Sequence, residues 1–294
     1  MSPRPLTLVW RRGVLDGVLE SSFIRDVVFA DLGRPLRWLA VEDGDELPVI
    51  DGALICSFGD PSDYLRGLRA QGGTNIGVFH LGDERGDDDC GFYGLADYVL
   101  RHYYRPSLSA VCLPNGWANG VGPCDPAHHL TFAERRHGLF FAGYADSAVA
   151  VRGEMLDVLK SNQIPAAVML TPGFGQGLGP AAYAGHMGDA RFALCPAGNA
   201  PETVRLFDAL EQGAMPIVIG GDWLNDTAGL GGLGPPPLVV LENWNELPAF
   251  MADLTEPPIE EWENRRRAAV DWWRQIKQLT SRRVAEVIEK SFAQ

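Results

Sequence analysis

The chain has 294 residues, 46% of them hydrophobic, which is enough for one large packed domain or two smaller ones. Its formal net charge of −13 argues against nucleic acid or an anionic membrane surface as the main partner, and makes basic residues in a cleft notable. Five scattered cysteines without a CxxC pair indicate reduced thiols and a cytoplasmic chain. The apolar run near the amino terminus is too short for a signal sequence or a membrane span.

Strand-like and helix-like segments alternate along the first half of the chain. Strands are predicted at residues 6–10, 37–41, 51–58, 75–81 and 98–104, with helical stretches at 17–32 and 60–73. Residues 105–138 lose this periodicity and are rich in Pro, Gly, Asn and His, as expected of a connection between halves. We therefore predict an α/β protein with two domains, residues 1–136 and 137–294.

The second half continues the alternation. Strands are predicted at 138–144, 166–172 and 237–243, a helix at 147–162 and a helical region at 259–292. The glycine-rich stretch 171–180 follows a strand but does not fit G-x-G-x-x-G, because Leu178 stands at the third required glycine. We interpret this stretch as a loop, either over a site or on the surface.

The segment Arg191–Gly221 reads as a strand, a helix and a second apolar strand, which is a βαβ unit. Its polar residues lie where the first strand ends and the helix begins. Open α/β sheets bind ligands at this end of a strand, and free backbone N–H groups at a helix start attract phosphate. The sequence therefore predicts a ligand site within this segment.

These residues carry a family resemblance. The string FALCPAG, then Arg205, Asp208-Ala209, Gly213, Pro216 and an apolar strand resembles the C-terminal half of exostosin-like glycosyltransferases. FHLGDE at 79–84, RHYY at 101–104, and FFAG followed by Arg152 occur in the order typical of the ribitol xylosyltransferase branch. One departure is Asp208, where exostosin-like enzymes generally have glutamate, so its reach is shorter by one methylene.

The resemblance implies a GT-B architecture, in which two Rossmann-like domains face a cleft and the second domain holds the nucleotide sugar. Arg205 would then neutralise the donor diphosphate, and Asp208 would accept hydrogen bonds from the ribose. The alternative is a surface ion pair between these two residues. The other residues expected to bind the donor are Gly143, Arg152, Pro196, Gly198 and Thr203. Arg152 is equally compatible with an ordinary helix surface.

The chemistry is expected at the end of the predicted strand 75–81, where His80, Asp83 and Glu84 follow the apolar IGVF. An inverting sugar transfer needs a base that takes a proton from the acceptor hydroxyl, and we assign this role to Asp83 or Glu84. Solvated acids in a turn and a buried, satisfied histidine are the alternatives. Arg101 and Tyr104 are expected to bind the acceptor, although core packing also explains the tyrosine.

The acidic run at 87–89 is interpreted as solvated, so we predict no catalytic metal and no cofactor besides the nucleotide sugar. The predicted function is an inverting, metal-independent glycosyltransferase that uses a UDP-sugar and acts on a glycan or a polyol phosphate. One alternative is a catalytically inactive nucleotide-binding partner subunit of the same fold. Another is a Rossmann-type epimerase or phosphorylase, which the failed glycine fingerprint argues against.

Overall fold

Two parallel β-sheets with flanking helices form the described part of the chain, and each lies in its own compact unit. The computed structural model describes residues 3–144, 150–173, 176–225, 232–254 and 257–293. The first unit comprises residues 1–114 and 277–294, and the second comprises residues 115–276.

The first unit is built around a six-stranded parallel sheet. Its strands are β1 (Leu6–Arg11), β2 (Leu36–Val41), β3 (Ala53–Ser57), β4 (Gly77–His80), β5 (Tyr98–Arg101) and β6 (Val111–Cys112). Its helices are α1 (Arg12–Gly17), α2 (Ser21–Phe23), which continues as a π-helix over Ile24–Val28, and α3 (Ser62–Ala70). A 3₁₀-helix at Gly91–Leu95 precedes β5.

The strand order of this sheet is β2-β1-β3-β4-β5-β6. The central strands β3 and β4 are buried at nearly every residue, as is usual for parallel strands covered on both faces. The edge strand β2 is exposed at half of its residues. A core of Val9, Ala53, Ile55, Leu65 and Val78 packs α3 against the sheet.

The second unit contains a five-stranded parallel sheet. Its strands are β7 (His137–Tyr144), β8 (Ala167–Thr171), β9 (Ala190–Leu194), β10 (Met215–Ile219) and β11 (Val239–Leu241), in the order β11-β10-β9-β7-β8. Its helices are α4 (Ala150–Ser161), α5 (Pro180–Gly188), α6 (Val204–Glu211) and α7 (Leu247–Asp253). The long helix α8 (Ile259–Phe292) belongs to this unit up to Ile276.

The units divide the chain differently from the predicted boundary at Arg136. Residues 115–136 belong to the second unit, and residues 277–294 belong to the first. Side chains of α6 explain the first difference, because Asp208 accepts a hydrogen bond from the Ala118 backbone N–H at 2.8 Å and Glu211 accepts one from Cys124 at 2.8 Å. Such contacts between distant parts of the chain leave no mark in the local sequence pattern.

The prediction of an α/β protein with two Rossmann-like sheets is confirmed. Within the predicted helix 17–32, the observed elements are α2 and the short π-helix, and α1 overlaps this range only at Gly17. Residues 147–149 of the predicted helix 147–162 lie outside the described residues, as do Phe174 and Gly175 of the glycine-rich stretch. Among the residues that are described, no helix is both long and apolar enough to cross a membrane.

Candidate functional site

The strand order of the second sheet makes the carboxyl ends of β7 and β9 its candidate ligand crevice. The chain passes from β7 to β8 on one side and then returns to β9 on the other side of β7. Parallel sheets bind ligands where the strand order reverses in this way, because the following loops diverge there. The loop after β7 begins at Gly143–Tyr144, and the loop after β9 (195–203) leads into α6.

Arg205 reaches this crevice from the first turn of α6. Its Nε and Nη2 donate to the carbonyl oxygen of Ala142 at 3.3 and 3.0 Å, and its guanidinium lies over the Phe141 ring, 4.7 Å from the centroid. Its Nη1 is buried and has no hydrogen-bond partner among the residues that the structure describes. Within the described residues no carboxylate lies within 4.0 Å of Arg205, so the alternative of an ion pair with Asp208 does not hold.

Arg152 approaches the same crevice from α4. Its Nε donates to the carbonyl of Ala197 at 3.3 Å, and its Nη1 donates to the carbonyl of Tyr144 at 2.7 Å. Burial, and next the positive charge of Arg205, lower the pKa of the Arg152 guanidinium. Two cations held by carbonyl oxygens at one crevice create a region that favours an anion.

Two glycines accommodate these guanidinium groups. Gly143 has φ 154, and a Cβ on it would lie 2.6 Å from Nη2 of Arg205. A Cβ on Gly198 would lie 3.3 Å from Nη2 of Arg152. The sequence predicted that Gly143 lets the backbone approach a ligand, whereas in the structure the adjacent space holds Arg205.

The two remaining loop residues predicted to bind the donor lie on either side of Gly198. Pro196 is buried in the turn directly after β9. Thr203 is the residue before α6, and its Oγ1 is buried without a partner. The structure therefore brings five of the predicted residues together at the carboxyl end of the second sheet: Gly143, Arg152, Gly198, Thr203 and Arg205.

Asp208 lies one turn further along α6 and points into the unit, where it is only 3% exposed. It accepts the Ala118 N–H at 2.8 Å and a hydrogen bond from the hydroxyl of Tyr183. The sequence predicted a carboxylate open to a ribose. The structure instead gives this carboxylate partners within the protein.

The burial of Asp208 has a measurable consequence, because it raises the pKa of this carboxyl to about 7 against the opposing effects of the Ala118 N–H and Arg205. Between pH about 4 and about 7 the folded chain keeps a proton that the unfolded chain releases, so the free energy of unfolding falls as pH rises. The Asp208→Asn variant lacks this titration. Its stability relative to the parent should therefore increase between about pH 5 and about pH 8, by at most about 3 kcal/mol.

Urea unfolding at the two pH values measures this difference. The matched control is Asp63→Asn, which changes an exposed carboxylate of α3. A parallel pH dependence in the parent and in Asp208→Asn would show that the Asp208 carboxyl does not carry the effect.

In the first unit, His80 ends β4 and is fully buried. Its Nδ1 lies 2.9 Å from the hydroxyl of Tyr93, and its Nε2 lies 3.1 Å from Oδ2 of Asp88. Burial, and next the charge of Arg101, lower the pKa of the imidazole despite the nearby carboxylates. Both ring nitrogens thus have polar partners within the protein. This arrangement agrees with the alternative of a buried, hydrogen-bonded histidine and not with a catalytic one.

Asp83 is the centre of a buried ion-pair cluster. Its Oδ2 accepts hydrogen bonds from Arg101 at 2.7 Å and from Arg105 at 3.1 Å, and its Oδ1 accepts the Asp88 backbone N–H at 2.9 Å. Burial alone raises the pKa of Asp83, but the hydrogen bonds from Arg101, Asp88 and Arg105 outweigh it and bring the pKa below its usual range. An occupied carboxylate of lowered pKa is a weak proton acceptor.

Arg101, predicted to bind the acceptor, is 2% exposed. Besides Asp83, it donates to the carbonyls of His102 and Tyr103 at 3.1 and 2.9 Å and to the Tyr93 hydroxyl at 3.0 Å. Its guanidinium therefore holds the loops after β4 and β5 together. The sequence predicted that Arg101 contacts the acceptor, whereas in the structure its guanidinium is buried and bonded to other groups of the protein.

Glu84 and Tyr104 differ from these buried groups. Glu84 is exposed and directly follows Asp83, whose backbone has the left-handed φ of 62. Tyr104 is half-buried two residues after the buried His102. Among the polar residues predicted after β4, Glu84 thus presents its side chain at the surface, at the carboxyl end of the sheet.

Carboxylate oxygens of Asp83, Asp87 and Asp88 lie within 4.8 Å of one another, a spacing compatible with a cation. The carboxylate of Asp83, however, already forms ion pairs with Arg101 and Arg105. Two guanidinium groups on one member of the cluster oppose the binding of a further cation there.

Sequence reasoning missed one buried pair, formed by Glu20 and His102. Nδ1 of His102 lies 3.2 Å from Oε1 of Glu20, and both residues are buried. His102 follows β5, and Glu20 lies between α1 and α2. No sequence spacing links them, because residues 82 positions apart meet only when β1 and β5 join one sheet.

Comparison with known proteins identifies the family. The family described as "RXYLT1 C-terminal domain" matches residues 144–293, which is 150 of the 294 residues. Ribitol-5-phosphate xylosyltransferase 1 of Danio rerio is 29% identical over 108 residues, covering 34% of this chain and 24% of that protein. The Homo sapiens protein is 26% identical over 110 residues, covering 34% and 25%. The match thus spans about a quarter of the length of these curated relatives.

Solved structures show the same fold. A Thermobaculum terrenum O-GlcNAc transferase has a TM-score of 0.50 and 12% identity, covering 98% of this chain and 67% of that one. Trehalose-6-phosphate synthase OtsA has a TM-score of 0.50 and 10% identity, covering 82% and 72%. The predicted resemblance and the predicted GT-B architecture are confirmed. The chain belongs to the RXYLT1 C-terminal domain family and has the GT-B fold.

Proposed function

We propose that this chain is an inverting glycosyltransferase that moves a sugar from a UDP-sugar to a hydroxyl group of a glycan or polyol phosphate. The observation that carries the proposal is the pair of guanidinium groups of Arg152 and Arg205 at the β7–β9 crevice, held by carbonyl oxygens. A leaving nucleoside diphosphate develops negative charge, which preorganised guanidinium donors stabilise. The name of the curated relatives supports a polyol phosphate as the acceptor.

Metal independence is part of this proposal. Arg152 and Arg205 supply at the diphosphate the positive charge that a divalent cation supplies in other transferases. The acidic cluster around Asp83 already faces Arg101 and Arg105. A cytoplasmic location is also proposed, and it agrees with the five free cysteines.

Glu84 is the base that we propose for the acceptor hydroxyl. Direct displacement at the anomeric carbon requires one group that removes this proton as the sugar is transferred. Asp83 is occupied by three hydrogen bonds, whereas Glu84 is exposed beside it at the end of β4. The half-buried Tyr104 is proposed to contact the acceptor from the loop after β5.

Binding of UDP in the presence of EDTA tests the donor site. We expect calorimetric titration to show UDP binding by the parent, and Arg205→Ala and Arg152→Ala to weaken it about ten- to a hundredfold, the effect of losing charged hydrogen bonds. The control is Arg274→Ala, which removes an exposed arginine of α8.

Three outcomes decide between the alternatives. Equal UDP affinity in all variants would sink the assignment of the two arginines. Binding that appears only with added Mg²⁺ would contradict metal independence. Normal UDP binding without turnover of any donor would favour a nucleotide-binding partner subunit.

A further inference from the structure

Asn115 has an almost completely buried side chain whose polar atoms find no partner among the described residues. The residue is 1% exposed, and within the described part of the chain neither Oδ1 nor Nδ2 has a hydrogen-bond partner. Buried carboxamides in folded proteins are nearly always hydrogen-bonded, since desolvation without a partner is costly. Asn115 therefore offers an acceptor and two donors that the protein itself does not use.

The position of Asn115 is fixed by its backbone. Its N–H donates to Oε1 of Glu202 at 3.1 Å, and the N–H of Ala118 donates to Oδ1 of Asp208 at 2.8 Å. Residues 115–118 thus run beside the start of α6. The same start of α6 carries Thr203 Oγ1 and Arg205 Nη1, which are also buried and have no partner in the described ranges of the chain.

We propose that Asn115 binds the ribose hydroxyls of the donor nucleotide. This inference rests on the proposed function, because it places the ribose next to a diphosphate held by Arg205. A ribose diol can donate to Oδ1 and accept from Nδ2 of one carboxamide at the same time. The carboxylate of Asp208, predicted for this role, already accepts hydrogen bonds from Ala118 and Tyr183.

Asn115 is thus a donor-specificity residue on the segment before β7. It distinguishes a ribonucleotide from its 2′-deoxy analogue, because loss of one hydroxyl leaves part of the buried carboxamide unpaired. Inorganic pyrophosphate has no ribose, so its affinity should not depend on Asn115.

Calorimetric titration of the full chain with UDP, 2′-deoxy-UDP and pyrophosphate tests the inference. In the parent, 2′-deoxy-UDP should bind about tenfold more weakly than UDP, the effect of one hydrogen bond. Asn115→Ala should bind UDP about tenfold more weakly than the parent, with no further loss for 2′-deoxy-UDP and unchanged pyrophosphate binding. The substitution keeps the backbone N–H that bonds to Glu202.

Two further variants make the result decisive. Asn115→Leu keeps the approximate size of the side chain but removes its hydrogen-bond donors and acceptor, and it should reproduce the loss for UDP. Asn119→Ala changes an exposed asparagine of the same segment and should bind like the parent.

Equal UDP affinity in Asn115→Ala and Asn119→Ala would overturn the assignment. A loss that persists undiminished with 2′-deoxy-UDP would show that Asn115 does not contact the 2′-hydroxyl, and would overturn the contact with the ribose diol. If the parent binds neither UDP nor pyrophosphate, the proposed function fails and the ribose site fails with it. If both ligands bind in an Arg205-dependent way, a negative result concerns Asn115 alone.

Discussion

Replacing Glu84 with glutamine is expected to lower the rate of sugar transfer about 10²- to 10⁴-fold, the usual contribution of a general base. Glutamine keeps the size of the side chain and its exposed position after Asp83, but it cannot accept the proton of the acceptor hydroxyl. UDP binding should be unchanged, because the donor residues belong to the second unit. The transfer rate with saturating donor, together with a UDP titration, separates the two effects.

Asp87→Asn is the matched control for Glu84→Gln. Asp87 is exposed in the same loop, and it belongs to the acidic cluster with Asp83 and Asp88. We expect this variant to transfer sugar at nearly the parent rate. A large loss in Asp87→Asn with little loss in Glu84→Gln would contradict Glu84 as the base and would favour a cation at the cluster.

Replacing Asp83 with alanine is expected to destabilise the protein by about 3–5 kcal/mol, the cost of leaving a buried charge without its partner. Both side chains of the Asp83–Arg101 pair are at most 2% exposed, so water cannot replace the lost carboxylate as a partner of the Arg101 guanidinium. Asp83 also accepts a hydrogen bond from the Asp88 N–H, and its own backbone has a left-handed conformation. Urea unfolding at neutral pH, followed by circular dichroism, measures the change.

An exposed ion pair of the same unit provides the comparison. Arg66 and Asp63 on α3 lie 3.1 Å apart, and their side chains are 64% and 104% exposed. Asp63→Ala should cost no more than about 1 kcal/mol, because water screens exposed pairs. Similar losses in Asp63→Ala and Asp83→Ala would mean that the buried cluster does not stabilise the fold.

The residues near β4 show why the sequence could locate a site without dividing the roles within it. HLGDE follows an apolar strand, and this correctly places His80, Asp83 and Glu84 at the carboxyl end of a parallel strand. The sequence could not separate Asp83 from Glu84. That distinction depends on Arg101 and Arg105, which lie 18 and 22 residues away and meet Asp83 only after β4 and β5 pair.

The same holds for the donor side. The βαβ pattern of residues 191–221 was enough to place Arg205 at the start of α6, because strand and helix periodicities are local properties of the chain. The burial and hydrogen bonding of Asp208 could not be predicted in this way, because its partners Ala118 and Tyr183 lie on other segments of the unit. Asn115 gave no signal at all, since an asparagine in a Pro- and Gly-rich stretch reads as a turn residue.

By itself, the sequence determined the alternating strands and helices, the two-sheet α/β class, the family resemblance and the candidate loops. Each of these follows from short-range periodicity or from motifs written along the chain. The tertiary structure alone decided which charged groups are neutralised inside the protein, as for Asp83 and Arg101, and which are held by backbone carbonyl oxygens at the end of a sheet, as for Arg152 and Arg205. Charge pairing and burial are set by contacts between distant segments, so they exist only once the sheets have formed.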